Sequence, residues 1–209
     1  IIDYSLGNLF SVKQACSAVG ISAEISSDRD AVMGADALIL PGVGAFPEAM
    51  ENLRQSNLID ALTEKVKGGT PLFGVCLGQQ LLFSDSEEFG SSKGLNLLEG
   101  TIKRFSNSSE HEKVRVPQIA WNRISNHNKS WSNTPLKDLD DGEFMYFVHS
   151  YYAVPRNEAN ILSTTYYGGI QYCSAVKYNN IFATQFHPEK SAGRGLSIYK
   201  NWAEQNNIL

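Results

Sequence analysis

The sequence predicts an α/β fold, a mostly parallel central sheet flanked by helices with antiparallel additions in the second half. Up to residue 83, short apolar runs alternate with helix-period segments, the signature of β-α-β units. After Ser84 the runs become shorter and richer in β-branched and aromatic residues, with turn residues between them. A length of 209 residues, 42% hydrophobic and 19% charged, suits one sizeable core, so residues 1–209 are expected to form a single domain.

Ile1-Ile2 reads as the end of a strand whose first residues precede this chain. Asn8 to Val19 carries Leu9, Val12, Cys16 and Val19 on one face with Gly20 as the stop, which predicts a helix. Ile21 to Ile25 is expected as a second strand. Ala37 to Leu40 is a buried strand closed by Pro41-Gly42-Val43-Gly44, and Asn57 caps a helix running to about Lys67 before Gly68-Gly69. Pro71 to Val75 is a central strand that delivers Cys76 at its carboxyl end, with Leu77 to Phe83 returning as helix. Antiparallel strands are expected at Ile102 to Phe105, Val114 to Ile119, Phe144 to His149 and Cys173 to Tyr178. Asn179-Asn180 predicts a hairpin into Ile181 to Phe186, and Gly193 to Gln205 supplies a last helix. Ser106 to Lys113 is the most polar stretch and reads as a surface loop.

Eighteen Lys and Arg against 22 Asp and Glu give a net charge of −4, which offers phosphate backbones and anionic lipid no attraction; nucleic acid and membrane drop out as first partners. No apolar run approaches the roughly 20 residues of a spanning helix. Ile1 to Gly20 lacks the order of a secretory leader, so the chain is expected to be cytoplasmic. Cys16, Cys76 and Cys173 are odd in number and far apart, which fits neither a disulfide framework nor a zinc knuckle. The sequons at Asn107 and Asn128 are accordingly expected to stay unused.

Gly74-Val75-Cys76-Leu77-Gly78 places a nucleophile type between two glycines where an apolar strand becomes a helix, the form of a nucleophile elbow. Such a turn strains the central residue, and strand and helix approach too closely for side chains at the flanking positions. A thiol there faces unpaired N–H groups and the positive end of the helix dipole, which favour the thiolate. The pattern by itself also fits a small buried hydrophobe at a helix start.

Gln185-Phe186-His187-Pro188-Glu189 follows a strand and so lies at a sheet end as well. His187 can serve as base for the thiol and Glu189 can orient the imidazole, with the stiff proline between them. Alone, this run equally describes a strand-terminating turn with a solvated Glu. Attack on a carbonyl also needs donors for the oxygen that becomes negative. The elbow supplies Leu77 N–H, and Pro41-Gly42-Val43-Gly44, ending the neighbouring strand, can turn Val43 N–H inward; a plain strand-to-helix turn is the other reading of that loop.

G-x-C-x-G at the nucleophile, the Pro41 to Gly44 loop and a late His-Pro-Glu together resemble the class I, or triad, glutamine amidotransferases across nearly the whole chain. Within that family the likeness is to the glutaminase subunits that feed a cyclase making imidazole glycerol phosphate. It is carried by Asp3 to Asn8, Pro41 to Phe46, Gly74 to Leu82, Tyr146 to Tyr151 and His187 to Ser191. The resemblance implies a flavodoxin-like fold and hydrolysis of the side-chain amide of L-glutamine through a thioester on Cys76, with His187 and Glu189 completing the triad. It implies neither metal nor cofactor.

By the same resemblance, Gly44, Gln80, Ser150 and Tyr151 hold the substrate. The implied partner is a separate (β/α)8-barrel cyclase subunit, joined as a heterodimer, that uses the ammonia for histidine synthesis. Asn8, Trp121, Tyr146 and Lys190 match positions that face this partner, though Asn8 also reads as a helix cap, Trp121 and Tyr146 as core aromatics and Lys190 as a solvated charge. His149 resembles a residue beside the site, while its apolar setting favours a satisfied structural histidine. Three departures stand out. Gln118 replaces the usual His, Ala120 the usual Gly, and Gln79 the usual Met. Placed in or near the partner-facing region, they leave room for a paralogue feeding a sugar-aminating synthase; a partner-independent cysteine hydrolase of the same fold is the further alternative.

Overall fold

Strand β1 (Leu38–Leu40) pairs in parallel with β2 (Leu72–Val75), and β2 pairs in parallel with β11 (Ile181–Thr184), so three carboxyl ends lie side by side. This trio belongs to a computed structural model that describes residues 1–107, 113–127 and 130–209. The predicted sequon at Asn128 and most of the predicted loop between Ser106 and Lys113 lie outside the described residues.

Side chains alternate across the three strands, as strand geometry requires. Leu38, Leu40, Leu72, Ile181 and Ala183 enter one core with α3 (Phe46–Gln55), α4 (Leu58–Lys67) and α5 (Leu77–Leu81). Ile39, Phe73, Val75 and Phe182 enter the other, against α1 (Leu9–Ala18) and α6 (Ala192–Gln205). Phe73 anchors that second face, its ring 4.9 Å from Phe182, 5.0 Å from Tyr199 and 5.5 Å from Trp202.

From β11 the sheet continues through antiparallel pairs. The hairpin at Asn179-Asn180 joins β10 (Ile170–Tyr178) to β11 with Tyr178 opposite Ile181, and Asn179 takes the left-handed φ of 49° that such a turn asks for. Beyond β10 the order runs through β8 (Tyr151–Pro155), β5 (Leu98–Arg104), β3 (Phe83–Ser86) and β4 (Ser92–Lys93). A second branch carries β9 (Ile161–Tyr167), β6 (Gln118–Asn126) and β7 (Glu143–His149). The sheet is therefore mixed, with its parallel part confined to β1, β2, β11 and the β3–β5 pair.

Several elements differ from expectation. Ile21 to Ile25 forms no ladder, because Ile21 N–H is spent on the Cys16 carbonyl; only Ser26 bridges to Ile2. The helix after Cys76 stops at Leu81, and Phe83 already belongs to β3. β6 starts after Pro117 rather than at Val114, since proline has no N–H to give a ladder. Asn57 sits at the start of α4 in the left-handed region, φ 54°, with no side-chain cap, so it turns the chain between α3 and α4 instead of capping. Helices α2 (Arg29–Gly34) and α3 were not expected, although Phe46, Ala49, Met50 and Leu53 show the helical spacing plainly.

Candidate active site

Because β1, β2 and β11 are parallel and adjacent, the loops after Leu40, Val75 and Thr184 all leave the same edge of the sheet, where ligands bind in open α/β folds. Cys76 N–H donates to the Thr184 carbonyl at 2.7 Å, which ties the elbow to the strand leading to His187. Cys76 adopts φ 56° and ψ −111°, a strained conformation for a residue with a side chain, and heads α5. The glycines explain how it is held. A Cβ on Gly78 would lie 1.8 Å from the Leu40 carbonyl oxygen, and one on Gly74 would lie 3.0 Å from Ala183 Cβ.

The loop from β1 leans on the same elbow. A Cβ on Gly42 would meet the Tyr4 hydroxyl at 2.3 Å and Leu77 Cβ at 2.9 Å. The buried Tyr4 hydroxyl donates to the Pro41 carbonyl at 2.6 Å, fixing the peptide that precedes Gly42. Gly44 takes φ 99°, a conformation that glycine adopts freely. Val43 and Leu77 thereby line the same cavity of about 400 Å³.

That cavity is lined by Val43, Gly44, Cys76, Leu77, Gln80, Glu88, Val148, His149, Ser150, Tyr151, His187 and Lys190 among others. Cys76 and His187, 111 positions apart (187 − 76 = 111), thus share one wall. Glu189 stands behind His187, its Oε1 2.7 Å from Nδ1, with only 2% and 1% of the two side chains exposed. Nε2 of His187 is buried and has no aligned partner among the described residues, so it is available to the sulfur beside it. Burial pulls the His187 pKa down; a negative Cys76 sulfur close by pushes it up, Glu189 adds to that, and the result is about 10.

The amide of Gln80 donates to the Tyr151 carbonyl at 2.9 Å and to Gln185 Oε1 at 3.0 Å. Both of its protons are used, so toward the cavity Gln80 has only a carbonyl oxygen to offer. Glu88 was not foreseen. Its carboxylate accepts from Phe46 N–H at 2.8 Å, lines the cavity, and has a pKa raised by burial against the lowering effect of that bond. No local motif marks it, because it sits in the turn after β3 and meets Phe46 only through the fold. His149 is the satisfied histidine that its setting suggested. It bonds the Tyr151 carbonyl through Nδ1 at 2.8 Å and the Tyr172 hydroxyl through Nε2 at 3.2 Å, and burial lowers its pKa to about 4.

Asn8, Trp121 and Tyr146 lie outside the cavity lining. Asn8 accepts from Ser11 N–H at 3.2 Å as the cap of α1. Trp121 is 50% exposed and Tyr146 half-buried, so neither is a core aromatic. Their rings meet at 6.2 Å on the outer face of the β6–β7 pair, beside the exposed Ile119 and Phe144. Lys190 Nζ sits 5.9 Å over the Tyr146 ring, and His187 N–H donates to the Tyr146 carbonyl at 3.0 Å, so this face is continuous with the site. The departures from the family pattern do not lie on it. Gln118 is fully buried, its amide 3.0 Å from the Tyr172 hydroxyl; Ala120 shares its side of the strand, and Gln79 is fully buried.

Comparison with known proteins gives the family. The family model for glutamine amidotransferase class-I matches residues 1–205. The imidazole glycerol phosphate synthase subunit HisH of Chlorobium luteolum is 46% identical over 204 residues, covering 98% of both chains. That of Geobacter metallireducens is 43% identical over 205 residues, covering 97% of this chain and 96% of its own. Among solved structures, PurLQS from Thermotoga maritima superposes with a TM-score of 0.73 at 17% identity, over 97% of this chain and 95% of that one. A glutamine amidotransferase superposes at 0.70 and 20% identity, over 99% and 97%; at these identities the likeness is one of fold.

Proposed function

The chain belongs to the class I glutamine amidotransferase family, and from that premise we propose that it hydrolyses the side-chain amide of L-glutamine on Cys76 and passes the ammonia to a separate cyclase subunit that makes imidazole glycerol phosphate for histidine synthesis. The observation that carries this reading is the meeting of Cys76 and His187 in one cavity that Val43 also lines, with Glu189 held behind the imidazole.

In the proposed reaction the Cys76 thiolate attacks the amide carbon of glutamine, forming the C–S bond. The oxygen gains negative charge in front of the N–H groups of Val43 and Leu77, the first helical N–H groups having no acceptor within α5. His187, as imidazolium, gives its proton to the departing nitrogen, and the C–N bond breaks to release ammonia. Neutral His187 then takes a proton from water as the water attacks the thioester, and glutamate leaves with the thiolate restored. Glu189 stabilises the charged imidazole throughout. Gly44, Ser150 and Tyr151 line the space for the amino-acid end of the substrate, with Glu88 and the Gln80 carbonyl oxygen suited to an ammonium group.

Ammonia released into water at neutral pH would be protonated and lost as a nucleophile, so the reaction calls for a partner that receives it directly. The exposed apolar face of Ile119, Trp121 and Phe144, next to Tyr146 and Lys190, is the surface proposed for that barrel subunit, and the family resemblance adds Asn8 to it. The names of the curated relatives support the histidine assignment. The inward placement of Gln118, Ala120 and Gln79 supports the cyclase over a sugar-aminating synthase as the partner. The assay is glutamate release with and without a cyclase barrel subunit and its nucleotide ligand. Strong dependence on the partner supports the proposal; equal turnover by the chain alone favours a partner-independent hydrolase.

A further inference from the structure

Gln185 lies between β11 and His187, completely buried, with Nε2 3.8 Å from the Cys76 sulfur. Amide oxygen and nitrogen are told apart by their partners, and here the partners leave no choice. The Tyr151 carbonyl can only accept, so the Gln80 atom 2.9 Å from it is nitrogen. That nitrogen can only donate, so the Gln185 atom 3.0 Å from it is oxygen. The remaining Gln185 atom, facing the sulfur, is the NH2 group. His149 reinforces the sequence of bonds. Its Nδ1 takes the second lone pair of the Tyr151 carbonyl at 2.8 Å, holding that carbonyl in place from the other side.

We propose that Gln185 is a hydrogen-bond donor to the Cys76 sulfur that stabilises the thiolate and fixes its direction, with Gln80 acting as the clamp that aims the Gln185 amide. The proposal rests on the reading of Cys76 as nucleophile and deepens it. The Gln80 amide protons serve this clamp rather than the substrate. A reversed Gln185 would point its carbonyl oxygen at the sulfur and disfavour the charged form; the chain of bonds through Tyr151 and Gln80 prevents that reversal. When the thioester forms the sulfur loses its charge and the bond weakens, so the donor acts on the free thiolate.

The test is the pH dependence of Cys76 alkylation by iodoacetamide, read on the Cys76 peptide by mass spectrometry, in the whole chain and in two variants. A hydrogen bond to a charged group corresponds to a midpoint shift of about one to two pH units, so Gln185→Met should move the alkylation midpoint up by that much. It should also lower kcat more than it raises KM. Gln185→Glu keeps the shape and can still accept from Gln80, but turns a carboxylate toward the sulfur; its midpoint should rise further. Should Gln185→Met fail to fold, the near-isosteric Gln185→Glu decides the matter by the same measurement. Unchanged midpoints in the folded variants overturn the proposal. Failure of the nucleophile reading shows separately, as glutaminase activity retained in Cys76→Ser.

Discussion

Nδ1 of His187 stands 2.7 Å from Oε1 of Glu189 in a pair almost wholly withdrawn from water. Only Pro188 separates them, so the short turn Pro188–Lys190 sets the contact locally and the α6 side of the molecule covers it. Replacing the carboxylate by an amide keeps the volume and removes the charge. Glu189→Gln should therefore lower kcat for glutamine hydrolysis by roughly 10²- to 10⁴-fold, the usual span for a disabled acid–base group, with KM little changed. Steady-state kinetics of the partner complex check this.

The charge on Cys76 is the leading influence that raises His187, burial being the larger opposing one. Capping the sulfur with a neutral alkyl group removes that influence while burial and Glu189 remain. The His187 titration, near 10 in the free protein, should then move down in the alkylated protein when followed by NMR of the ring protons. A titration that stays in place on alkylation would show that Glu189 alone sets it.

Tyr4 holds the loop that brings Val43 to the cavity. Its hydroxyl reaches the Pro41 carbonyl at 2.6 Å in a buried setting. Tyr4→Phe keeps the ring in the core but leaves that carbonyl unsatisfied, at a cost of about 1–3 kcal/mol in unfolding free energy. The accompanying freedom at Gly42 should slow thioester formation more than it weakens glutamine binding. Urea unfolding and a single-turnover measurement report the two effects separately.

The framework of the site was readable because its three strands are short, almost wholly apolar and ended by conspicuous residues: Pro41 after β1, Cys76 after β2 and the Gln185 to Glu189 run after β11. Alternating runs reveal strands, and glycines on both sides of Cys76 reveal a close approach that the Leu40 carbonyl in fact makes. Glu88, and the part played by Gln185 inside its conspicuous run, were hidden for the opposite reason. The importance of each comes from neighbours brought in by tertiary pairing, Phe46 for Glu88 and Gln80 for Gln185. The missing ladder at Ile21 to Ile25 was hidden as well, since the loss of Ile21 N–H to α1 depends on how that helix ends. Conversely, the spacing that predicts α3 was present in Phe46, Ala49, Met50 and Leu53 and simply stood behind a proline at Pro47, which the first turn of a helix tolerates.

Gln79 is completely buried, and neither its amide nitrogen nor its oxygen has a hydrogen-bond partner among the described residues. Methionine fills a similar volume without the polar atoms. Gln79→Met should raise the unfolding free energy by about 1–3 kcal/mol, measured by urea titration, with glutaminase activity of the folded protein retained. A lower stability would mean that the amide is satisfied in solution.

The nucleophilic role of Cys76 meets its most direct trial in labelling by a glutamine-mimicking electrophile followed by peptide mass spectrometry. The predicted result is stoichiometric modification of Cys76 alone, with loss of glutamate production in step, and no labelling or turnover in Cys76→Ala. Modification at Cys16 or Cys173 instead, or continued glutamine hydrolysis by Cys76→Ala, would contradict it.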